Sequence, residues 1–420
     1  MGRIGELVAP AAWGTDFRRL LASTWTTNLA DGLAVAAGPL LVASLTSDPF
    51  LVALAATVQW LPQLLLGLLA GGVADRVDRR RHLLLVNTIR VGILLGLAAG
   101  VVAGVMTIAV ALVLLFLLAV AEVFADTTSA TLLPMLVDRS ALPTANARLQ
   151  GGFLVGNQLA GPAIGAGLFA VAVGWPFVTQ VVLVAVGTVV LVRLRLPPLP
   201  TPATTRRLHH DIAAGFRWSM RHPAVRTLIL TILIFNVTFG ATWSILVLYA
   251  TQRLGLGPLG FGLLTTVQAI GGLVGIAVYG ALARRIALGV LMRVGLVIET
   301  VFHLVLALTS SPWVAAPTMF ALGVHEFVWG TTSTTIRQRA VPQELQGRVG
   351  GVYRTAVFGG LVVGSTVGGV LAQHYGVTAP LWFALGGSAV FVAAIWGQLP
   401  HLDRAGRDDA HDEQIAGSGD

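Results

Sequence analysis

The sequence predicts an all-α membrane protein: twelve transmembrane helices in two pseudo-symmetric six-helix bundles. Three observations carry that prediction. First, the 420 residues are 55% hydrophobic and 11% charged, with a mean hydropathy of +0.81. Soluble chains are roughly 25% charged, so this one lacks the charge to cover a water-facing surface. Second, apolar runs of about 20 residues, the length that crosses a bilayer, recur from end to end. Third, the first half of the chain is echoed in the second.

The apolar runs place spans 1 to 6 at 20–45, 51–73, 83–105, 107–131, 150–172 and 175–193. Spans 7 to 12 fall at 224–250, 259–282, 287–309, 313–335, 351–373 and 379–398. Helices are required because hydrocarbon offers no partner to an open backbone. The five regions expected are a cytoplasmic segment 1–19, a bundle 20–193, a cytoplasmic linker 194–223, a second bundle 224–398 and a tail 399–420. Residues 1–19 lack a continuous apolar core and end in Asp16, Arg18 and Arg19, so they do not read as a cleaved leader.

Arginine sets the orientation. Arg76, Arg79, Arg80 and Arg81 follow span 2, and Arg139 and Arg148 lie between spans 4 and 5. Arg193, Arg195, Arg206, Arg207, Arg217 and Arg221 separate spans 6 and 7. Arg284 and Arg285 follow span 8, and Arg337, Arg339 and Arg348 lie between spans 10 and 11; the opposite side holds Arg253. The positive-inside rule then puts both termini and the linker in the cytoplasm, with the protein in the cytoplasmic (inner) membrane of a bacterium. In the linker, Leu196–Pro202 reads as an extended proline-rich stretch, and Asp211–Arg221 as an amphipathic helix on the membrane surface. The polar, acidic tail reads as disordered.

Missing residues exclude whole chemistries. With no Cys there is no disulfide, iron–sulfur cluster or thiol catalysis. All 27 basic residues are Arg. Without Lys there is no Walker A loop and no Schiff base, so no cofactor and no ATP motor are expected. The net charge of +8 is scattered between spans rather than gathered on one basic face, which argues against nucleic acid.

The halves align at a shift of about 203–209 residues. Asn28–Gly32 faces Asn236–Gly240, Arg90-Val91-Gly92 faces Arg293-Val294-Gly295, and Gly161–Leu168 faces Gly364–Leu371. LAVAEVFADTTSAT (118–131) lies over LGVHEFVWGTTSTT (322–335) with seven of fourteen identical. Like-oriented six-helix halves with a site near the bilayer midplane are a transporter plan.

At Gly71-Gly72-Val73-Ala74-Asp75-Arg76-Val77-Asp78-Arg79-Arg80 the chain resembles the loop 2–3 signature of the major facilitator superfamily, with Asp78 where Gly is usual. Gly161-Pro162-x-x-Gly165 resembles the antiporter motif of its exporting families. NLADG in span 1, LLPMLV (132–137) and VPQELQGRV (341–349) are similar to the bacterial enterobactin-exporter and macrolide-efflux branch. The resemblance covers residues 17–398. It implies that spans 1, 4, 7 and 10 line a central cavity, and that 2, 5, 8 and 11 form the sides where the halves meet.

Five acidic residues fall within spans: Asp31, Glu122, Asp126, Glu299 and Glu326. Each costs several kcal/mol at mid-bilayer unless hydrated, paired or protonated. Asp31, Glu122 and Glu326 lie on cavity spans and are the expected proton-coupling groups. Asp31 leads, because its repeat partner is Phe239 and the other half manages without a charge there. The other reading is that Asp31 hydrogen-bonds locally and never titrates, and that Glu122 and Glu326 are interhelical struts. Glu299 and His303 read as a locally satisfied i,i+4 pair, and Arg90 and Arg293 as snorkelling anchors. His325-Glu326 lacks the second His of a zinc motif, Trp329 standing in its place, so no metal is expected.

Trp25, Asn28, Asp126, Asn236, Phe239, Trp243, His325 and Trp329 are the expected lining of the substrate cavity, suited to a lipophilic small molecule, cationic ones included. Ordinary packing or interface anchoring is the competing reading for the tryptophans. By resemblance, Gly71, Asp75, Arg76, Arg79 and Arg80 form a cytoplasmic gate in which Asp75 meets the N-terminus of span 11. Gly161, Pro162, Gly165, Gly364 and Gly368 sit on small-residue stripes that serve either sliding between the halves or tight packing.

The expected protein is a monomeric secondary transporter whose partners are a small molecule, protons and the bilayer: a proton-coupled exporter working by rocker-switch alternating access. An importer or uniporter on the same fold, and a non-transporting membrane sensor or lipid-handling protein, remain as alternatives. No catalytic constellation survives inspection.

Overall fold

The computed structural model describes residues 13–196 and 208–396. The first six long helices are α1 (Gly14–Leu45), α2 (Pro49–Ala74), α3 (Arg79–Val102), α4 (Ile108–Ala130), α5 and α6 (Trp175–Val192). α5 runs as Leu142–Gly152, a wider π-helical stretch Phe153–Ala160, and Gly161–Val171. Then follow α7 (Leu208–Arg221), α8 (Pro223–Trp243), α9 (Pro258–Arg285), α10 (Leu288–Leu308), α11 (Pro312–Ala340), α12 (Gln346–Tyr375) and α13 (Ala379–Ile395). Ten of the described helices are long and apolar enough to cross a membrane. α11, 29 residues with His325, Glu326, Arg337 and Arg339, and α13, 17 residues, occupy the positions of predicted spans 10 and 12. The chain is an all-α membrane protein.

Short polar residues start several helices. Asp48 accepts a hydrogen bond from the Phe50 amide ahead of α2, with Pro49 at the first helical position. Asp78 accepts from Arg81 ahead of α3, and Thr107 from Val110 ahead of α4. Each satisfies an orphan amide that hydrocarbon or headgroup could not. Pro39, Pro62 and Pro317 sit inside helices, which membrane helices tolerate when neighbours satisfy the freed carbonyl.

Burial is inverted relative to a soluble protein. Leu65, Leu85, Val189 and Val390 are exposed on helix flanks, where lipid tails replace the missing packing partner. Ser23, Thr57, Asn87, Arg90, Gln180, Gln268, Glu299 and His303 are buried instead.

Two compact units divide the chain: the described residues of 1–204 with 250–266, and those of 205–249 with 267–420. In the first, α1 packs on α5 and α6, α2 on α4, and α3 on α4 and α6. In the second, α8 packs on α12 and α13, and α10 on α11 and α13. Residues 250–266 join the first unit through the Thr266 hydroxyl, which donates to the Leu159 carbonyl at 3.0 Å, and through Gly262, which lies against the Pro162 carbonyl.

Five boundaries differ by five residues or more from the sequence reading, among them the starts of α5 at Leu142 rather than 150 and of α12 at Gln346 rather than 351. α1 begins at Gly14 rather than 20, because Arg19 pairs with Asp16 one turn earlier and carries the helix past the apolar stretch. α11 runs on to Ala340 through Arg337 and Arg339. Apolar composition marks the depth of hydrocarbon; the helix itself continues into water. Span 7, by contrast, stops at Trp243, and Leu246–Leu248 and Tyr249–Arg253 follow as separate pieces. The predicted surface helix is α7, packed on α12 and α8. Most of the proline-rich stretch after Leu196 and the tail 399–420 lie outside the described residues.

Candidate functional site: buried charge in the first unit

Arg90 carries the site. Its side chain is 2% exposed, so the expectation of a snorkelling anchor is overturned: the guanidinium turns inward from α3, where burial demands a counter-charge. Its Nη2 donates to Asp31 Oδ1 of α1 and lies 3.7 Å from Glu122 Oε1 of α4. Nη1 reaches Asn87 Oδ1 at 3.4 Å, one turn back on α3. The Nε proton is buried with no hydrogen-bond partner. Asp31 and Glu122 are 14% and 22% exposed. Asp126, one turn along α4 from Glu122, is exposed. Three carboxylates therefore surround one guanidinium. Arg90 neutralises one of them, and the remainder are hydrated, protonated or met by another cation.

α1 reaches this site because α5 lets it in. A Cβ on Gly161 would meet the Gly32 backbone, and one on Gly165 would come 2.9 Å from Leu33 Cα. Pro162 is buried beside them. Gly364 and Gly368 of α12 receive the α8 backbone at Val237 and Ala241 in the same manner. Both stripes receive a helix of their own unit in close backbone contact, which is tight packing. Trp25 belongs to the same α1–α5 contact. Its indole N–H donates to the Arg148 carbonyl at 3.0 Å, and its ring fills the space beside Gly152. Asn28, half-buried, follows one turn later, its backbone against Gly156.

Glu326, the repeat partner of Glu122, accepts from Gln268 Nε2 of α9 at 2.8 Å. Phe239, at the place of Asp31, stacks on Trp243 with ring centroids 5.4 Å apart. The two border a small apolar void of about 10 Å³ with Thr242, Tyr249, Phe302 and Met319. The Asn236 amide donates to the Ile232 carbonyl of its own helix at 2.7 Å.

Two expected cavity residues lie elsewhere. Trp329 is 7% exposed and packs in a hydrophobic core with Phe235, Met292 and Leu296. His325 turns to α10, where its Nε2 meets Glu299 Oε2 at 2.8 Å. Glu299 is thus paired between helices, and the i,i+4 pair with His303 does not account for it. Both departures come from the large side chains at 325 and 329 finding room beside Gly295.

The gate residues keep their contacts inside the first unit. Gly71 accepts the Asp75 amide at its carbonyl, closing α2. Asp75 is 73% exposed, with Arg79 Nη2 at 3.8 Å. Arg79 Nη1 also reaches the Thr131 carbonyl at 3.5 Å and Met135 Sδ at 3.2 Å. Arg80 donates to the Val192 carbonyl at the end of α6, satisfying an orphan acceptor. Arg76 is exposed.

Comparison with known proteins agrees with this architecture. The chain is 26% identical over 405 residues to the multidrug efflux pump Tap of Mycolicibacterium fortuitum, covering 91% of this chain and 95% of that one. Among solved structures it superposes on a mutant of the nucleoside transporter NupG with a TM-score of 0.76 at 12% identity, covering 91% of this chain and all of that one. It also superposes on a bacterial homologue of the iron transporter ferroportin in an inward-facing state, with a TM-score of 0.68 at 17% identity over 91% and 98% of the two chains. The transmembrane secretion effector family matches residues 8–415. With nearly the whole chain matched, and with the fold of the superfamily's solved members, this protein belongs to the transmembrane secretion effector family of major facilitator transporters.

Proposed function

We propose that this transporter exports an amphipathic or lipophilic small molecule in exchange for protons, by rocker-switch alternating access. The observation that carries the reading is the surplus of carboxylates around Arg90. Asp31 and Glu122 share one guanidinium, and Asp126 stands one turn away. A proton or a cationic substrate relieves the same surplus, and two ligands competing for one charge deficit give exchange. Asp31 is the main coupling carboxyl, with Glu122 its helper. Glu326, hydrogen-bonded to Gln268, is a further candidate. The stacked Phe239–Trp243 pair suits the apolar part of the substrate, and a cation over those rings is stabilised by about 0.5–2 kcal/mol. The exporting direction is supported by the 26% identity to a multidrug efflux pump.

Asp75, Arg76, Arg79 and Arg80 act at the cytoplasmic gate in this reading. The arginine bias of the loops supports placement in the cytoplasmic membrane of a bacterium with both termini inside.

Uptake of a fluorescent lipophilic cation by inverted vesicles, with and without an imposed pH gradient, tests the reading. Accumulation that collapses with the gradient is expected. Uptake indifferent to the gradient excludes proton exchange, and uptake only in right-side-out vesicles makes the protein an importer.

A further inference from the structure

A second set of buried ionisable groups lies in the second unit, and the coupling reading does not use it. Glu299 of α10 and His325 of α11 form a 2.8 Å contact with side chains 10% and 5% exposed. His303 stands one turn beyond Glu299 and is fully buried. Its ring meets the Glu299 backbone one turn back, and at least one ring nitrogen is left without a hydrogen-bond partner among the described residues. A buried polar group without a partner costs about 1–3 kcal/mol. Two imidazoles and a carboxylate inside membrane helices are therefore expensive as packing material.

The surroundings isolate this set. Glu326 is the other titratable group close by, and Gln268 of α9 holds it. α13 packs on α10 and carries no titratable residue. From α8 come Ala224, Leu228 and Phe235, and its sole charged residue, Arg226, lies in the first turn. Arg293 is six residues before Glu299 on α10.

We propose that His325, Glu299 and His303 form a proton-binding site buried in the second unit and separate from the Arg90 cluster. An imidazole–carboxylate pair is neutral while it holds one proton. On protonation an imidazole nitrogen lone pair takes the proton from hydronium, an N–H bond forms, water departs, and Glu299 meets the new charge. The contact between α10 and α11 becomes an ion pair; on deprotonation it reverts to a hydrogen bond. His303 offers the proton a second basic nitrogen within one turn. The site binds protons whether or not the protein exchanges them for substrate.

Trp329 reports on it, being one turn from His325 with both rings against Gly295; imidazolium quenches a neighbouring indole. The experiment is the emission of Trp329 in lipid nanodiscs without substrate, taken as the difference between the parent and Trp329→Phe, titrated from about pH 8 to about pH 5. Acidification should quench it with one midpoint. His325→Asn should abolish the titration, Glu299→Gln should move its midpoint, and Asp31→Asn should leave it in place. The last variant separates this site from the coupling reading. A flat difference signal, or a titration unchanged in His325→Asn, overturns the proposal. Should Trp329→Phe or His325→Asn not fold, the infrared difference between parent and Glu299→Gln across the same titration decides. A carboxyl band that responds to pH supports the site, and a silent one overturns it.

Discussion

Arg90 of α3 binds the Asp31 carboxylate of α1 through the same Nη2 that faces Glu122 of α4. The guanidinium is thus the counter-charge that lets two acidic helices approach. Removing it leaves buried carboxylates without compensation, which costs about 3–5 kcal/mol. Arg90→Leu should lower the unfolding free energy in detergent by that amount. Asp31→Asn should cost far less, because Glu122 remains beside the cation. Arg90→Lys should not restore stability, since a point charge cannot serve two carboxylates as the planar fork does.

The glycine stripes predict a sharp positional contrast. A Cβ at Gly165 would lie 2.9 Å from Leu33 Cα, and one at Gly364 2.9 Å from Val237 Cα. Backbone cannot yield as a side-chain tip does, so each Gly→Ala change should destabilise by about 1–3 kcal/mol. At Gly330 of α11 a Cβ meets nothing within 4 Å. Gly330→Ala should be neutral or stabilise by up to about 1 kcal/mol through helix propensity. Thermal unfolding of the three variants in one detergent measures the contrast.

His222 joins α7 to α8. Its ring stacks on Trp218 with centroids 5.0 Å apart, and its Nδ1 accepts from the Val225 amide at 3.5 Å. Burial holds this imidazole below its ordinary value of 6.5. The folded state thus favours neutral His222, and the unfolded chain binds the extra proton first. The stability it contributes is present above pH 6.5 and is lost as pH falls through the folded value. His222→Asn, which caps without titrating, should flatten that part of the stability profile, read by unfolding at a series of pH values.

Asp75 makes an exposed contact with Arg79, and such pairs contribute about 0–1 kcal/mol. Asp75→Asn should therefore leave folding intact while shifting the balance of access states. The chain has no cysteine, so a single cysteine introduced on a cavity helix can be labelled without background. Faster labelling from the cytoplasmic side in Asp75→Asn supports the gate, and an unchanged rate argues against it.

The helices were legible because membrane depth is written in composition. Runs of apolar residues fixed most helix ends to within a few residues; some misses came where polar residues extend a helix past the apolar stretch, as Asp16 and Arg19 do, and one where the helix of span 7 stops early at Trp243. The carboxylates of the site were legible for the same reason, since charge inside a span is rare enough to stand out. Their partners were not. Spacing along one helix shows which residues share a face, not which neighbouring helix that face meets. Arg90 consequently read as an anchor, and Glu299 was assigned to His303 on its own helix rather than to His325 on the next. A buried Arg demands an acidic partner, and Asp31, without a repeat counterpart, was the signal available. Trp243 and Trp329 looked alike in sequence. One stacks beside a cavity and the other fills a core, a difference decided by Gly295 across the helix pair.

The central claim is that the carboxylates around Arg90 exchange protons for substrate, and proteoliposomes with an internal pH dye measure it directly. Adding a lipophilic cation to the parent should drive proton movement. Asp31→Asn should bind the cation through Glu122 and Asp126 and lose that movement, because the carboxyl that takes up the proton in exchange is gone. Full substrate-driven proton flux in Asp31→Asn would contradict the account.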